Sequence, residues 1–519
     1  MKTLKSYARG AWHEATGGFS TLVDPSTEEP IAQASSAGLD FSGMLAHARD
    51  VGGPALRALT FAERGDMLRA MSKALRDHRG ELLELSTKNT GTTRHDGGFD
   101  IDGATGTLAY YGGLGKGLGD RRALSDGDDI QLMKTDAFFG QHLLVAKRGV
   151  ALHVNAFNFP AWGFAEKAAC ALLAGMPVIT KPATATAWVT ERAIEIIVEA
   201  GILPAGALQL VCGSTGNLLD LLGAQDVFAF TGSADTALML RRSANLLAAN
   251  TRVNLEADSL NAAVLAPDVA AGSPAWELFL KDVVREMTQK SGQKCTAVRR
   301  ILVPEGIADA VEQALVERLA AVVTGNPADP SVTMGPVATA NQLRDAEAGI
   351  ARLLAEARLV HGSGKRTDGV GAPAGKGFFL APTLLRAASA ANAGAVHTHE
   401  VFAPVATLIP YDGSATQAAE AVALGGGTLV TSAYGDDPEW TRAFVAGVGS
   451  FTGRIYLGSA GSASEAPGSG IAMPQTLHGG PGRAGGGEEL AGLAGLRPYL
   501  QKVALQGARS SLQEIASGI

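Results

Sequence analysis

The sequence predicts an α/β protein built on two mostly parallel sheets, and three observations predict it. From residue 148 onward short apolar runs alternate with helical stretches, the pattern of βαβ units joined by right-handed crossovers. A second series of the same kind begins near residue 261. At 519 residues the chain exceeds one ordinary core, so two or three domains are expected.

Taken in order, residues 61–90, FAERGDMLRAMSKALRDHRGELLELSTKNT, place apolar side chains at helical spacing and predict a helical layer ahead of the sheets. HLLVAKRG at 142–149 reads as an extended arm. The first series then runs VALHVNAF, a helix near 163–175, MPVITKP, a helix near 187–199, LQLVCG, a short helix, VFAFTGS, another helix and RVNLEA. The second opens on NAAVLAPD, continues through a long helix around 275–291 and carries Cys295 in the link to RRILVP. A glycine-dense stretch fills 478–496, and YLQKVALQ at 499–506 reads as a terminal strand.

Composition removes several classes of function. With 44 basic against 51 acidic side chains, a net charge of -7 and no long run of either sign, nucleic acid is not an expected partner. The N-terminus has no uninterrupted apolar core of a signal peptide, and nowhere do about eighteen apolar residues run together, so neither secretion nor a membrane is expected. Cys170, Cys212 and Cys295 cannot all pair and lack zinc-site spacing. A reducing cytoplasm and no metal are the expectation.

Cys295 is the residue on which a function turns. It follows SGQK after a helix and is flanked by Lys294, Arg299 and Arg300, an electropositive setting that favours thiolate over thiol. A thiol of pKa about 8.5 is only a few per cent ionised at neutral pH, so a base would help. Glu256, at the end of the apolar strand RVNLEA, is the candidate. NAFNFP puts Asn158 in a strand-to-helix turn, either to hold an oxyanion with a backbone N–H or to cap the helix. TKPATAT puts Lys181 and Thr184 at the carboxyl edge of a parallel strand, where nucleotides bind. FTGSADTA ends another strand at Gly232 and Ser233, suited to a pyrophosphate or to simple N-capping. GPGRAG at 480–485 matches G-x-G-x-x-G literally, but follows no expected strand and lies too near the terminus for a βαβ unit.

In the order NAFNFP, TKPA, FTGS, NLEA, SGQKC and EVFAPV, these pieces resemble the NAD(P)-dependent aldehyde dehydrogenase superfamily over nearly the whole chain. ALRALTFAERG, EADSLN, REMTQKSGQKCTAVRRI and HGGPGRAGGGEEL resemble in particular its members that act on CoA-linked semialdehydes in phenylacetate and benzoate degradation. The resemblance implies a Rossmann-like cofactor domain (1–122 and 147–257), an α/β catalytic domain (258–479), a glycine-rich return (480–496) and a small β oligomerisation element (123–146 and 497–519). It implies that Cys295 attacks the aldehyde, Asn158 and the Cys295 N–H hold the oxyanion, and Glu256 activates thiol and water. Lys167 and Glu489 match positions of a proton relay, with a structural ion pair as the alternative. Lys181, Ser233, Glu400 and Phe402 match cofactor contacts, to the adenosine ribose, the pyrophosphate, and the nicotinamide ribose and ring.

Thr184 departs from the acidic residue of NAD-selective members, which would repel a 2′-phosphate, so NADP is the expected cofactor and NAD the alternative. LEADS lacks the two glycines that usually follow the glutamate. The expected reaction is oxidation of a small-molecule aldehyde, CoA-linked in this reading, to the acid by a homodimer or dimer of dimers. An acylating enzyme that releases its thioester to CoA and a non-catalytic nucleotide-binding scaffold are the rivals. Glu256 argues against the first, and the intact Cys295, Asn158 and Glu256 against the second.

Overall fold

A computed structural model describes residues 1–135 and 137–518. Asp136 and Ile519, which fall inside the expected oligomerisation segments, lie outside the described residues. In chain order the elements that build the site are β1 (Ser6–Ala8), β2 (Ala11–His13), α1 (Phe61–Asp77), α2 (Arg79–Thr90), α3 (Arg94–Leu118), β3 (Phe139–Ala146), β4 (Ala151–Val154), α4 (Trp162–Ala174), β5 (Val178–Lys181), α5 (Ala187–Glu199), β6 (Leu208–Leu210), β7 (Val227–Thr231), α6 (Ala234–Arg241) and β8 (Arg252–Glu256). The second half continues with β9 (Ala262–Leu265), α7 (Pro274–Thr288), β10 (Arg300–Pro304), β11 (Ala357–His361), β12 (Thr383–Ala387), β13 (Val405–Tyr411), β14 (Thr428–Tyr434), β15 (Thr452–Gly458), β16 (Leu477–Gly479), β17 (Glu488–Leu490), β18 (Leu500–Gly507) and α8 (Arg509–Gly518).

Two seven-stranded sheets carry the fold. The first has the order β8-β7-β4-β5-β6-β1-β2, parallel except for the β1–β2 hairpin and its junction with β6. Its strand order reverses at β4, which pairs with β5 on one side and β7 on the other. Such a reversal opens a crevice at the carboxyl ends of the strands. The second sheet has the order β11-β12-β13-β10-β9-β14-β15, parallel except at β11. Its central strands are buried on both faces, every residue of β13 and β14 included, as expected of parallel strands covered by helices on each side.

The helical layer expected over 61–90 is present, as two helices that break at His78. Thr60 starts α1 with a reciprocal capping box, its hydroxyl accepting from the Glu63 N–H while Glu63 accepts from the Thr60 N–H. α1 and α3 pack closely because Gly65, Gly112 and Gly115 face one another; a Cβ on Gly65 would stand 2.6 Å from the Gly112 carbonyl.

The arm β3 pairs along its length with β18, from Ala146 opposite Leu500 to Phe139 opposite Gly507. Beyond this strand the chain forms α8, which the reading of 499–506 did not foresee; Leu512 is buried. GPGRAG also departs from expectation, since it does follow a strand, β16. That strand pairs antiparallel with β17, so the segment is the turn of a short ribbon and not the first loop of a βαβ unit.

Candidate active site

Register brings the first group of residues together. Thr231 stands opposite Glu256 at the ends of β7 and β8, and Lys181 opposite Val154 at the ends of β5 and β4, so all lie at one carboxyl edge. Between β4 and α4 the chain turns through Asn158. The expected alternative, Asn158 as the helix cap, is not what forms. Asp100 of α3 supplies the cap instead, its carboxylate accepting from the N–H groups of Ala161 at 3.2 Å and Trp162 at 2.7 Å. Asn158 is left buried with no hydrogen bond among the described residues.

The loop that carries Cys295 begins where α7 ends. Helix was expected to continue to 291, but α7 stops at Thr288 and Lys290, Ser291 and Gly292 take left-handed backbone angles, with φ of 53°, 57° and 66°. Non-glycine residues hold that conformation only where surroundings fix it. Here the Lys290 N–H donates to Asp96 at 2.9 Å, the Ser291 hydroxyl donates to the Gly335 carbonyl at 2.7 Å, and a Cβ on Gly292 would strike the Ala403 carbonyl at 2.3 Å. Asn261 fastens the far side, its amide donating to the Cys295 and Ala297 carbonyls at 2.8 and 2.9 Å. Its oxygen accepts from Val430 N–H and the Ser259 hydroxyl, so every polar atom of this buried side chain is engaged. The Cys295 N–H has no acceptor among the described residues.

Beside the thiol stand Glu256 and His478. His478 Nε2 is 3.7 Å from Cys295 Sγ and 3.4 Å from Glu256 Oε2. Neither carboxylate oxygen of Glu256 has a hydrogen-bond partner, so the His478 contact is an ion pair without a directed bond. The expected electropositive surrounding is overturned. Lys294 turns to Glu286 and Gln289, Arg299 to Glu400 and the Ala403 carbonyl, and Arg300 to the carbonyls of Leu260, Ala421 and Val422. Lys294 and Arg299 are spent on fastening the loop, and Arg300 on backbone away from it. Burial, with the negative charge of Glu256, accordingly pushes the Cys295 thiol up to about 11. Burial also opposes charge on Glu256, but His478 and Lys167 outweigh it and hold the carboxyl below its ordinary range. His478 moves the other way: burial disfavours its cation, and Glu256 more than restores it. Sequence reasoning missed His478, although it lies in the glycine-rich stretch singled out for other reasons.

Behind Glu256, Lys167 on α4 is fully buried between Glu166 at 2.9 Å and Glu489 of β17 at 3.1 Å. Burial and the two nearby carboxylates, Glu166 and Glu256, raise Glu489 well above the ordinary carboxyl range despite Lys167. Burial opposes the Lys167 cation, and the acids around it keep it charged.

Three cavities meet in a row. A chamber of about 40 Å³ holds Cys295, Asn158, Glu256 and His478. It opens on one side into a cavity of about 910 Å³ through walls shared at Asn158, Glu256 and Cys295, and on the other into one of about 620 Å³ through walls shared at Phe99, Trp162 and Ala472. The larger cavity is lined by Lys181, Gly232, Ser233, Glu400 and Phe402. Thr184 is not on that wall; its hydroxyl donates to the Gly213 carbonyl at 3.4 Å from a turn just behind Ala183, which is. Ser233 caps α6, accepting from the Thr236 N–H, and still faces the cavity. Lys181 has no hydrogen bond or ion pair among the described residues. Glu400 accepts from the Ser259 N–H and pairs with Arg299; burial nevertheless pushes its carboxyl up to about 7. A cavity of this size at the sheet's switch point, with an unpaired cation at the edge and a helix N-terminus beside it, fits a dinucleotide.

Known proteins share this arrangement at several levels. Residues 12–471 match the model of the aldehyde dehydrogenase family. The chain is 45% identical over 479 residues to 3,4-dehydroadipyl-CoA semialdehyde dehydrogenase of Aromatoleum evansii, covering 92% of this chain and 93% of that protein. It is 27% identical to 3,6-anhydro-alpha-L-galactose dehydrogenase of Vibrio sp. (strain EJY3), over 79% of this chain and 82% of that one. Among solved structures, betaine aldehyde dehydrogenase of Staphylococcus aureus in complex with NAD+ superposes with a TM-score of 0.83 at 24% identity, covering 97% of this chain and 95% of the other. Lactaldehyde dehydrogenase of Escherichia coli gives 0.83 at 25%, over 98% and 99%. With a cysteine between a dinucleotide-sized cavity and a second entrance, in a chain matched from residue 12 to residue 471, the protein belongs to the aldehyde dehydrogenase family and is an oxidoreductase that acts on aldehydes.

Proposed function

We propose that the chain oxidises a CoA-linked semialdehyde, of the 3,4-dehydroadipyl-CoA semialdehyde type, to its acid with NADP, in the breakdown of aromatic compounds. The observation that carries this reading is the second entrance. Its walls include Arg79, which pairs with Asp102 of the same wall, Arg285, which pairs with Asp282, and the exposed Arg94 and His95, of which Arg94 has no ion pair among the described residues. An aldehyde reaching Cys295 from that side leaves its far end among basic side chains, which suits a phosphate-bearing tail. The 45% identity to a dehydrogenase of that substrate supports the same assignment.

In this reading Cys295 attacks the carbonyl carbon to give a thiohemiacetal, whose oxyanion lies between the Asn158 amide and the Cys295 N–H, the two donors left without partners. A bound nicotinamide dinucleotide supplies the hydride acceptor, held by Lys181, Gly232, Ser233, Glu400 and Phe402. Glu256, with both oxygens free of hydrogen bonds, takes the proton of the water that hydrolyses the thioester. Lys167 and Glu489 carry that proton away. Lys181 unpaired and no acid at 184 support NADP over NAD.

We extend the proposal to the assembly. The segments 123–146 and 497–519 form a dimerisation element between a cofactor domain (1–122, 147–257) and a catalytic domain (258–479) with the return 480–496. β18 is an edge strand carrying the exposed Val503, and Ile130, which pairs with β3 from its other side, is exposed with Met133, as expected of a surface that a second copy covers. No described helix is long and apolar enough to cross a membrane, and the three cysteines are free, which supports a place in the cytoplasm.

The test is a comparison of initial rates, followed by dihydronicotinamide absorbance, on CoA-linked semialdehydes and plain medium-chain aldehydes, with NADP and with NAD, in the absence of free CoA. Faster NADP turnover of the CoA-linked substrates is expected. Preference for plain aldehydes would overturn the substrate assignment, and a requirement for free CoA would overturn the hydrolytic outcome.

A further inference from the structure

His478 is placed by an unusual route. It stands on a three-residue strand, β16, which pairs antiparallel with β17 so that His478 lies opposite Glu489. The turn between them is made of glycines locked against backbone: a Cβ on Gly485 would lie 2.4 Å, and one on Gly487 2.3 Å, from the Leu255 carbonyl, next to Glu256 itself. The ribbon is thus keyed to the strand that ends in Glu256. It delivers a buried imidazole 183 residues along the chain from Cys295, with one nitrogen, Nε2, facing both the thiol and the carboxylate.

We propose that His478 is a further catalytic residue, the charge partner of Cys295. Its imidazolium faces the sulfur as the thiol proton passes to Glu256, and faces it again when the thioester is broken. In the first step the S–H bond breaks, its electron pair stays on sulfur and the proton goes to a Glu256 oxygen, leaving a thiolate beside an imidazolium. In the last step, once Glu256 has passed the first proton on, water gives a proton to Glu256 as its oxygen adds to the thioester carbon, the C–S bond breaks and the electron pair returns to sulfur. The acid departs and the same imidazolium faces the thiolate. His478 need not gain or lose a proton in either step.

Three features support this role. Of the electropositive neighbours in sequence, Lys294 and Arg300 are engaged elsewhere, and Arg299, which acts on Cys295 through space, is held by Glu400 and the Ala403 carbonyl, so among the described residues none of the three touches the sulfur. Every charged group around the imidazole is accounted for: Glu256 on β8, Cys295 on its loop, Glu489 on β17, and Lys167 with Glu166 on α4. Arg454, on β15, also acts on Cys295, but its guanidinium donates to the Ser469 carbonyl at 3.1 Å. Of these groups His478 is the cation in contact with sulfur. The sign follows: a cation beside the thiol favours the thiolate, so the thiol ionises at lower pH with His478 than without it.

This inference rests on the proposal that Cys295 is the nucleophile, and its test separates the two. The pH dependence of iodoacetamide alkylation is measured on the full-length enzyme without substrate, with the Cys295 peptide quantified by mass, for wild type, His478→Asn and His478→Phe. Removing the cation should move the alkylation midpoint up by about one pH unit, roughly a tenfold loss of labelling below the midpoint. His478→Asn should also shift the acidic limb of kcat/KM upward by a similar amount. If the midpoint stays in place in both variants, His478 only packs and the inference fails, whatever happens to turnover. Where His478→Phe does not fold, His478→Asn, nearer in polarity, still decides. The Cys295→Ala variant keeps the premise separate: turnover retained there would remove the nucleophile itself, irrespective of the midpoints.

Discussion

Replacing Lys167 by Met should destabilise the protein strongly, and more at alkaline than at acidic pH. Lys167 is 1% exposed and holds Glu166 at 2.9 Å and Glu489 at 3.1 Å, with Glu256 within electrostatic reach. Removing one partner of a buried ion pair costs about 3–5 kcal/mol, because the other charge is stranded. The stranded acids can relieve part of this by binding protons, each pKa unit being worth about 1.4 kcal/mol. The Glu489 carboxyl, already above its ordinary range beside Lys167, rises further in the folded variant, away from the unfolded value near about 4.3. A group raised in the folded state gives stability that is present below the unfolded pKa and lost as pH rises through the folded one. The deficit of the variant should therefore be small near pH 4 to 5 and grow to its full size by pH 8. Thermal melts of both proteins at closely spaced pH values measure it, and Glu489→Gln added to Lys167→Met should recover stability by removing one stranded charge. A loss below about 1 kcal/mol, or one that does not vary with pH, would refute the view that Lys167 is the counter-charge of this cluster.

Other substitutions probe the chemistry more directly. Asn158→Ala should lower kcat by about 10²–10³-fold with an unchanged melting temperature, since its amide bonds to nothing in the chain; steady-state rates beside a thermal melt check this. Glu256→Gln should slow both the first burst of dihydronicotinamide and steady turnover, by about 10²–10⁴-fold, since the thiol and the hydrolytic water lose the same base; stopped-flow absorbance reads both. Thr184→Glu should raise KM for NADP by about tenfold or more while sparing NAD, as an acid reaching past Ala183 meets the 2′-phosphate; equal effects on both cofactors would refute the placement.

Where the sequence could be read, it was because local pattern and chemistry coincide. Lys181, Gly232, Ser233 and Glu256 sit at or just beyond the ends of apolar runs, and strand ends are where a parallel sheet presents its groups, so their place at one edge followed from alternation alone. Alone, Cys295 would read as an inert buried thiol; it was legible through the motifs that accompany it, NAFNFP, TKPA, FTGS, NLEA and EVFAPV in order with SGQKC. The charges beside it were misread for a physical reason: adjacency in sequence says nothing of direction, and Lys294 and Arg299 fasten the loop while Arg300 bonds backbone away from it. His478 was hidden for the converse reason, since nothing local marks a histidine that reaches the thiol through a three-residue ribbon. The breaks at His78 and Thr288 escaped because apolar periodicity continues across them while the backbone does not. α8 was overlooked because its one buried anchor, Leu512, is too little to register as a periodic face.

Among the described residues the two large cavities share no lining residue, and each adjoins the small chamber at Cys295. The protein therefore has separate doors for its two reactants. Neither ligand has to leave for the other to enter, so a long substrate tail can stay parked outside one door while the dinucleotide is exchanged through the other. Whatever blocks the chamber, such as an alkylated Cys295, divides the molecule into two blind alleys, and each should still bind its own ligand. Equilibrium binding of dinucleotide to the alkylated enzyme would then report on one door alone.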